Sequence, residues 1–524
     1  MIQNPVLTGF NPDPSIVRVG EDFYIATSTF QWFPGVNLHH SKDLIHWEHI
    51  GYALTRRSQL DMVGNPDSGG IWAPDLSYHD GTFHLIYTDV KVWRGAFEDA
   101  HNYLVTAQDI RGPWSEPIYL NSSGFDPSLF HDEDGRKWFV NALWDHRAGR
   151  NPFAGIVLQE YSPKEERLVG PIKNIFKGTD IALTEAPHLY KRDGMYYLMT
   201  AEGGTEYEHA VTVARSRDLF GPYEVDPNNP MLTSVNNPEL ELQKAGHASL
   251  VETQNGDWYL AHLCGRPLPS DDPAERFCNL GRETALQKVE WSEDGWLRVE
   301  GGGNEPKASV PSSLPEHTFD APPERVDFDA DTLPIAFQSP RIPFDESWGS
   351  LTERPGYLRL RGRESLSSVH RQSTLARRLQ AFRAEAETSV EFDPVSFQQM
   401  AGLLCVYDTR NYVYLYLTHH DDDTLALGIL HADQGETKDV LADPVLIRRG
   451  APVFLKAVFD YNDIRLHYKA ESDWQAVGPT FAAKQLSDEY DGLGFTGTFV
   501  GVNVQDLSGR KAHADFDFFA YKEV

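Results

Sequence analysis

Phe125-Asp126-Pro127-Ser128-Leu129, then Asp134-Gly135, then Trp138-Phe139-Val140 is a short strand-forming run, a tight turn and an aromatic-rich run. Two such runs around Asp-Gly read as a β-hairpin. The same order of features recurs four times. Asp13-Pro14-Ser15-Ile16 leads past Gly20 to Phe23-Tyr24-Ile25, and Ala73-Pro74-Asp75-Leu76 leads through Asp80-Gly81 to Phe83-His84-Leu85-Ile86-Tyr87. Ala186-Pro187-His188-Leu189 leads through Asp193-Gly194 to Tyr196-Tyr197-Leu198, and His247-Ala248-Ser249-Leu250 through Asn255-Gly256 to Trp258-Tyr259-Leu260. The starts at 13, 73, 126, 186 and 247 are 60, 53, 60 and 61 residues apart. A second signature falls between them: Lys42-Asp43-Leu44 before Trp47, Gln108-Asp109-Ile110-Arg111-Gly112-Pro113-Trp114, and Arg217-Asp218-Leu219-Phe220-Gly221-Pro222-Tyr223. Repeats of this length built from strands and turns predict a β-propeller with about four strands per blade. Five copies predict five blades.

Equivalent positions of successive blades face one axis, so the residues that open each first strand converge. Those positions hold Asp13, Ala73, Asp126, Ala186 and His247, with Trp72, Phe125 and Glu185 one place before three of them. Three carboxylates, an imidazole and aromatic rings are therefore expected in one pocket. Asp13 stands between two prolines, and proline drives the residue before it toward extended backbone. The expectation is a stiff, extended Asp13 with an aimed side chain.

The boundaries expected are a propeller over 1–303, a linker over 304–323 and a second domain over 324–524. The linker begins at Gly301-Gly302-Gly303-Asn304-Glu305-Pro306, where the repeat ends and Pro and Ser accumulate. Beyond it, Tyr357-Leu358-Arg359-Leu360, Leu403-Leu404-Cys405-Val406-Tyr407, Tyr412-Val413-Tyr414-Leu415-Tyr416 and Val453-Phe454-Leu455-Lys456-Ala457-Val458 read as strands of a β-sandwich. A short helix is expected over 373–383. The fold class is all-β: a five-bladed β-propeller followed by a β-sandwich of concanavalin or jelly-roll type.

Composition narrows the function. The 524 residues carry 77 acidic and 47 basic side chains, a net charge of -30. Nucleic-acid binding depends on neutralising phosphates with basic groups, so that class is excluded, and anionic membranes would be repelled. A neutral ligand fits. Three cysteines, with no metal-ligand spacing, and an N-terminus without a signal-peptide pattern lead us to expect a cytoplasmic location.

Paired carboxylates across a sugar-sized pocket suit glycoside hydrolysis: a protonated acid serves the leaving oxygen while an ionised one activates water or attacks carbon. A third carboxylate raises the acid's pKa by like-charge repulsion. A lone Asp-Pro is ordinarily a turn residue; two acids at equivalent repeat positions and a third one place earlier are not explained by turns.

The motifs Asn11-Pro12-Asp13-Pro14-Ser15, Phe125-Asp126-Pro127-Ser128 and Thr184-Glu185-Ala186-Pro187-His188 resemble those of glycoside hydrolase family 43. Phe30-Gln31-Trp32-Phe33-Pro34-Gly35-Val36, Ser58-Gln59-Leu60-Asp61-Met62, Gly70-Ile71-Trp72-Ala73-Pro74, Gly281-Arg282-Glu283-Thr284 and Phe495-Thr496-Gly497-Thr498-Phe499-Val500-Gly501 are similar to stretches of its two-domain β-xylosidases. The resemblance implies an inverting, exo-acting enzyme that removes D-xylose from 1,4-β-xylooligosaccharides, with side activity on α-L-arabinofuranosides. It implies Asp13 as general base, Glu185 as general acid and Asp126 as the group that raises and positions Glu185. By the same resemblance Arg282 binds sugar hydroxyls, Phe30 and Trp72 wall the terminal subsite, Trp144 stacks under the next sugar, and Thr205 lies in the leaving-group subsite. His247 resembles a central histidine that holds water or a divalent cation such as calcium, although no cofactor is required. Phe499, or Phe495, resembles the sandwich residue that closes the pocket. A dimer or tetramer is implied. Asp75 departs from the pattern and is expected at the surface or tuning the pocket. The alternatives are an enzyme that is chiefly an α-L-arabinofuranosidase, or a sugar-binding propeller without catalysis.

Overall fold

The computed structural model describes every residue except Pro273 and Asp422. Five antiparallel sheets follow the sequence repeat, three of four strands and two, in blades II and IV, that carry a fifth short strand. Blade I is built from Ser15–Val19, Asp22–Thr27, Gly35–Ser41 and Glu48–Leu54, and blade II from Asp75–His79, Thr82–Val92, Asp99–Ala107 and Ile118–Asn121. Blade III comprises Gly124–His131, Lys137–Trp144, Phe153–Ser162 and Arg167–Phe176. Blade IV comprises Glu185–Arg192, Met195–Glu202, Ala210–Ser216 and Glu224–Val225, and blade V Gln243–Glu252, Trp258–Gly265, Arg282–Trp291 and Leu297–Val299. The first strands touch one another around a closed ring, blade V meeting blade I. The hairpin turns behave as their residues require: Asp80-Gly81 and Asp193-Gly194 have positive φ at both positions, the type I′ pattern. In the second signature, Asp109 Oδ1 and Asp218 Oδ1 each accept from the backbone N–H two residues on, at 2.9 Å, turning the chain from third to fourth strand.

Apolar faces of neighbouring blades bury against each other. Ile86 and Leu104 of blade II meet Leu129 and Phe139 of blade III, and Met199 and Val211 of blade IV meet Leu250 and Leu260 of blade V. The ring is sealed by Ile16, Phe23 and Ile25 of blade I against Tyr259 and Leu286 of blade V, with Ile2, Val310 and Leu314 in the same cluster. Part of the expected linker is therefore core: Ser309–Val310 pairs with Ile2–Gln3, and Val310 is fully buried.

The chain divides into two units. The first holds Met1–Phe30, Pro34–Arg266 and Arg282–Phe319; the second holds Gln31–Phe33, Pro267–Gly281 and Asp320–Val524. The split at 319/320 falls inside the stretch expected as linker, but two short segments from within the propeller sequence belong to the second unit. One is explained by pairing of Trp32–Phe33 with Ser339–Pro340. The second unit contains an eight-stranded and a seven-stranded sheet. The helix expected over 373–383 does not form. Ser373–Arg378 is a strand with its first four residues buried, and its pairing with Phe499–Asp506 overrides the local helix preference. Among the described residues the sole helical element is a 3₁₀ turn, Ala483–Leu486, and no helix is long and apolar enough to cross a membrane.

Candidate active site

Asp13, Asp126, Ala186 and His247 all have left-handed backbone, with φ of 55°, 52°, 50° and 46°. This overturns the extended conformation expected for Asp13. The local effect of Pro14 loses to the blade: inner strands III, IV and V break register at this position, between Phe125 and Ser128, between Glu185 and His188, and between Gly246 and Ala248. Such a bulge re-aims a side chain, and a proline, having no N–H, suits the place where ladder pairing lapses. The strain, on the order of 1 kcal/mol per residue, is repeated around one axis, as is common at functional sites.

Asp13 is buried and doubly held. Ser28 Oγ donates to its Oδ2 at 2.6 Å and Arg282 Nη1 to its Oδ1 at 3.1 Å. The same Arg282 nitrogen donates to Thr205 Oγ1 at 2.7 Å, so Asp13, Arg282 and Thr205 form one chain of contacts. His247 Nδ1 lies 3.6 Å from Asp13 Oδ1. Burial pushes the His247 ring down to about 4, which leaves it neutral at pH 7. Gly246 precedes it because His209 occupies the adjoining space: a Cβ on Gly246 would stand 1.3 Å from His209 Cδ2.

Asp126 is buried and accepts from Ala186 N–H at 3.1 Å, joining blades III and IV. Its carboxyl lies well above the usual range, through burial and then the charges of Glu185 and Asp13. Glu185 is pushed up to about 8, by burial first, then by Asp13, with Arg282 opposing and Glu98 adding to the rise. Asp126 and Glu185 thus oppose each other's ionisation, and burial and Asp13 add to the rise on Glu185. Thr184 Oγ1 and Thr179 N–H both donate to the fully buried Glu202 at 2.8 Å, which fixes the approach to Glu185.

Phe30, Trp72, Phe125 and Trp144 form a connected set of rings. Phe30 lies 6.4 Å from Trp72 and the Arg282 guanidinium lies 5.3 Å from the Phe30 ring. Backbone bonds of 2.8 and 3.0 Å lock Phe30 to Ile71. Gly70 permits this closeness, since a Cβ there would come within 2.4 Å of the Phe30 carbonyl oxygen. Trp72 meets Phe125 edge-on at 5.3 Å, and Phe125 lies 6.2 Å from Trp144. Phe499 belongs to the second unit, where its ring stacks on Trp32 at 3.8 Å.

Three residues were missed. Ser28 is a lone serine without a motif, and Glu202 sits at a strand end among loop residues. Glu98, pushed up to about 8 by burial and by Asp126, lies in an irregular hairpin loop outside the repeat. Asp75 is not at the surface. Its buried carboxylate accepts from Ser15 Oγ at 3.0 Å and Leu129 N–H at 2.9 Å and lies 3.5 Å from His188 Nδ1, tying inner strands I to IV.

Calcium takes about six to eight oxygen ligands. Among the described residues no three His, Cys, Asp or Glu side chains come together to hold a metal. The donors beside His247 do not fit a protein-held cation.

Three acids from three blades at the axis of a five-bladed propeller, walled by aromatic rings, define a glycosidase. Residues 2–297 match Glycosyl hydrolases family 43 and residues 325–522 match the Beta xylosidase C-terminal Concanavalin A-like domain. The chain belongs to glycosyl hydrolase family 43. A solved xylan β-1,4-xylosidase from Bacillus halodurans C-125 is 62% identical, with a TM-score of 0.98 and 100% of each chain covered. A β-xylosidase of Bacillus subtilis is 53% identical over 100% of this chain and 99% of its own. Xylosidase/arabinosidase 43B of Humicola insolens is 49% identical over 100% of this chain and 98% of its own.

Proposed function

We propose that the protein is an inverting exo-β-xylosidase that removes D-xylose from the non-reducing end of 1,4-β-xylooligosaccharides, with side activity on α-L-arabinofuranosides. The observation that carries this reading is the unequal setting of the acids. Asp13 receives two hydrogen bonds from Ser28 and Arg282, an arrangement that serves a carboxylate. Glu185 is pushed up to about 8 and keeps its proton at neutral pH. Asp13 then takes a proton from water as the water oxygen bonds to the anomeric carbon. Glu185 gives its proton to the glycosidic oxygen as the C–O bond breaks, and exchange with solvent restores both groups. Inversion needs base and acid about 6.5–9.5 Å apart, and their origin in blades I and IV suits such a gap. Arg282, held between Asp13 and Thr205, presents its guanidinium toward the terminal sugar, while Phe30 and Trp72 exclude water. No step passes through a metal ion.

The similar proteins named for xylosidase and for arabinosidase activity support both substrates. Assaying p-nitrophenyl β-D-xylopyranoside beside p-nitrophenyl α-L-arabinofuranoside tests the reading. Turnover of the xyloside is expected to exceed that of the arabinofuranoside; the reverse order would make the protein chiefly an arabinofuranosidase, and turnover of neither would leave a sugar-binding propeller. A cytoplasmic location and a dimeric or tetrameric assembly are part of the same proposal, the first supported by three buried cysteines and the second by family resemblance.

A further inference from the structure

The hairpin loop between Thr82–Val92 and Asp99–Ala107 in blade II carries Trp93, Arg94, Gly95, Ala96, Phe97 and Glu98. It is fastened on both sides to the aromatic walls. Trp93 Nε1 donates to the Asp67 carbonyl at 3.0 Å and its ring meets Trp72 edge-on at 6.5 Å. Trp144 Nε1 donates to the Ala96 carbonyl at 3.0 Å, and Phe97 stacks on His146 at 4.6 Å. The loop thus bridges the wall of the terminal subsite, Trp72, and the ring expected under the next sugar, Trp144.

Glu98 closes this loop and turns inward. Phe97 beside it is 62% exposed, whereas Glu98 is partly buried and its Oε2 is fully enclosed. Among the described residues nothing donates to that oxygen. A buried acceptor left without a partner costs about 1–3 kcal/mol, and Asp13 and Asp126 avoid that cost through protein donors: Ser28 and Arg282 for Asp13, Ala186 N–H for Asp126. Glu98 feels the charge of Asp126 and in turn acts on Glu185, so it lies within electrostatic reach of both acids. Burial first, then Asp126, pushes its carboxyl up to about 8. At neutral pH it carries a proton and can both donate to and accept from a hydroxyl.

We propose that Glu98 is a specificity-determining residue of the leaving-group subsite, hydrogen-bonding a hydroxyl of the second sugar through its carboxyl. The inference rests on the β-xylosidase reading above. It accounts for a carboxyl oxygen to which no group among the described residues donates, on a loop tied to Trp144. A hydroxyl entering beside Trp144 meets the carboxyl; a leaving group without hydroxyls gains nothing from it.

The test compares kcat/KM on xylobiose and on p-nitrophenyl β-D-xylopyranoside for the full chain and for Glu98→Ala and Glu98→Gln. The ratio of the two constants does not depend on how much of a variant is folded. Glu98→Ala is expected to lower the xylobiose-to-aryl ratio about tenfold or more, the worth of one hydrogen bond to a buried polar group. Glu98→Gln, which keeps a donor and an acceptor, is expected to hold the ratio within about threefold. An unchanged ratio in Glu98→Ala overturns the proposal, whether both activities stay high or fall together; a parallel fall would make Glu98 an electrostatic neighbour of Glu185. If the unmodified protein turns over neither substrate, the β-xylosidase reading itself fails.

Discussion

Replacing Glu185 by Gln removes the one proton that the proposed reaction gives to the glycosidic oxygen, and the structure says when that proton is present. The Glu185 carboxyl is moved from its ordinary 4.5 to about 8. At pH 7 such a group is about 90% protonated, against about 0.3% for the unshifted one. The competent form is enriched about 300-fold, equivalent to about 3 kcal/mol. The alkaline limb of kcat/KM for xylobiose, measured from pH 5 to 10, should therefore turn near 8 and then fall about tenfold per pH unit. Glu185→Gln should lose about 10²–10⁴-fold on xylobiose and much less on p-nitrophenyl β-D-xylopyranoside, whose phenolate leaves without a proton. The same shift acts on stability. A carboxyl raised in the folded state binds more protons than in the unfolded chain, so its contribution is complete below about pH 4.5 and is lost as pH rises through about 8. Glu185→Gln lacks that dependence and should gain thermal stability relative to the parent at pH 8. An alkaline limb turning below pH 6, or equal losses on both substrates, would refute the reasoning.

Ser28→Ala removes the 2.6 Å donation to Asp13 without opening space; a hydrogen bond to a charged group is worth about 1.5–3 kcal/mol, so kcat should fall about 10–100-fold with KM for xylobiose little changed. Asp75→Ala leaves Leu129 N–H and Ser15 Oγ short of a buried partner and should cost about 2–4 kcal/mol of stability by denaturant titration, with kcat/KM retained while the chain is folded. Dialysis against a chelator should change activity less than about twofold, because the donors beside His247 do not make a calcium cage; recovery of a large loss on adding calcium back would contradict this.

The propeller was legible in the sequence because its signals are local and repeated: Asp-Gly turns, aromatic second strands and an Asx turn recur with the blade. The three acids were legible through the same phase. What depends on contacts between blades was not. The left-handed backbone of Asp13 runs against the rule for residues before proline, and Asp126, Ala186 and His247 share it at the equivalent place in three other blades. Asp75 reads as an added surface acid until Leu129 and Ser15 are brought to it by neighbouring blades. Glu98 sits in an irregular loop that no period marks. The strand at Ser373–Arg378 contains helix formers, and its state is decided by pairing with Phe499–Asp506, far along the chain.

Asp13 acts on a water molecule in the reaction proposed here, and the configuration of the first product reports that step directly. Following the anomeric protons by NMR as p-nitrophenyl β-D-xylopyranoside is cleaved should show α-xylose first, with the β-anomer growing in later by mutarotation. If β-xylose appears first, a carboxylate has attacked the sugar instead, and Asp13 is not the base that activates water.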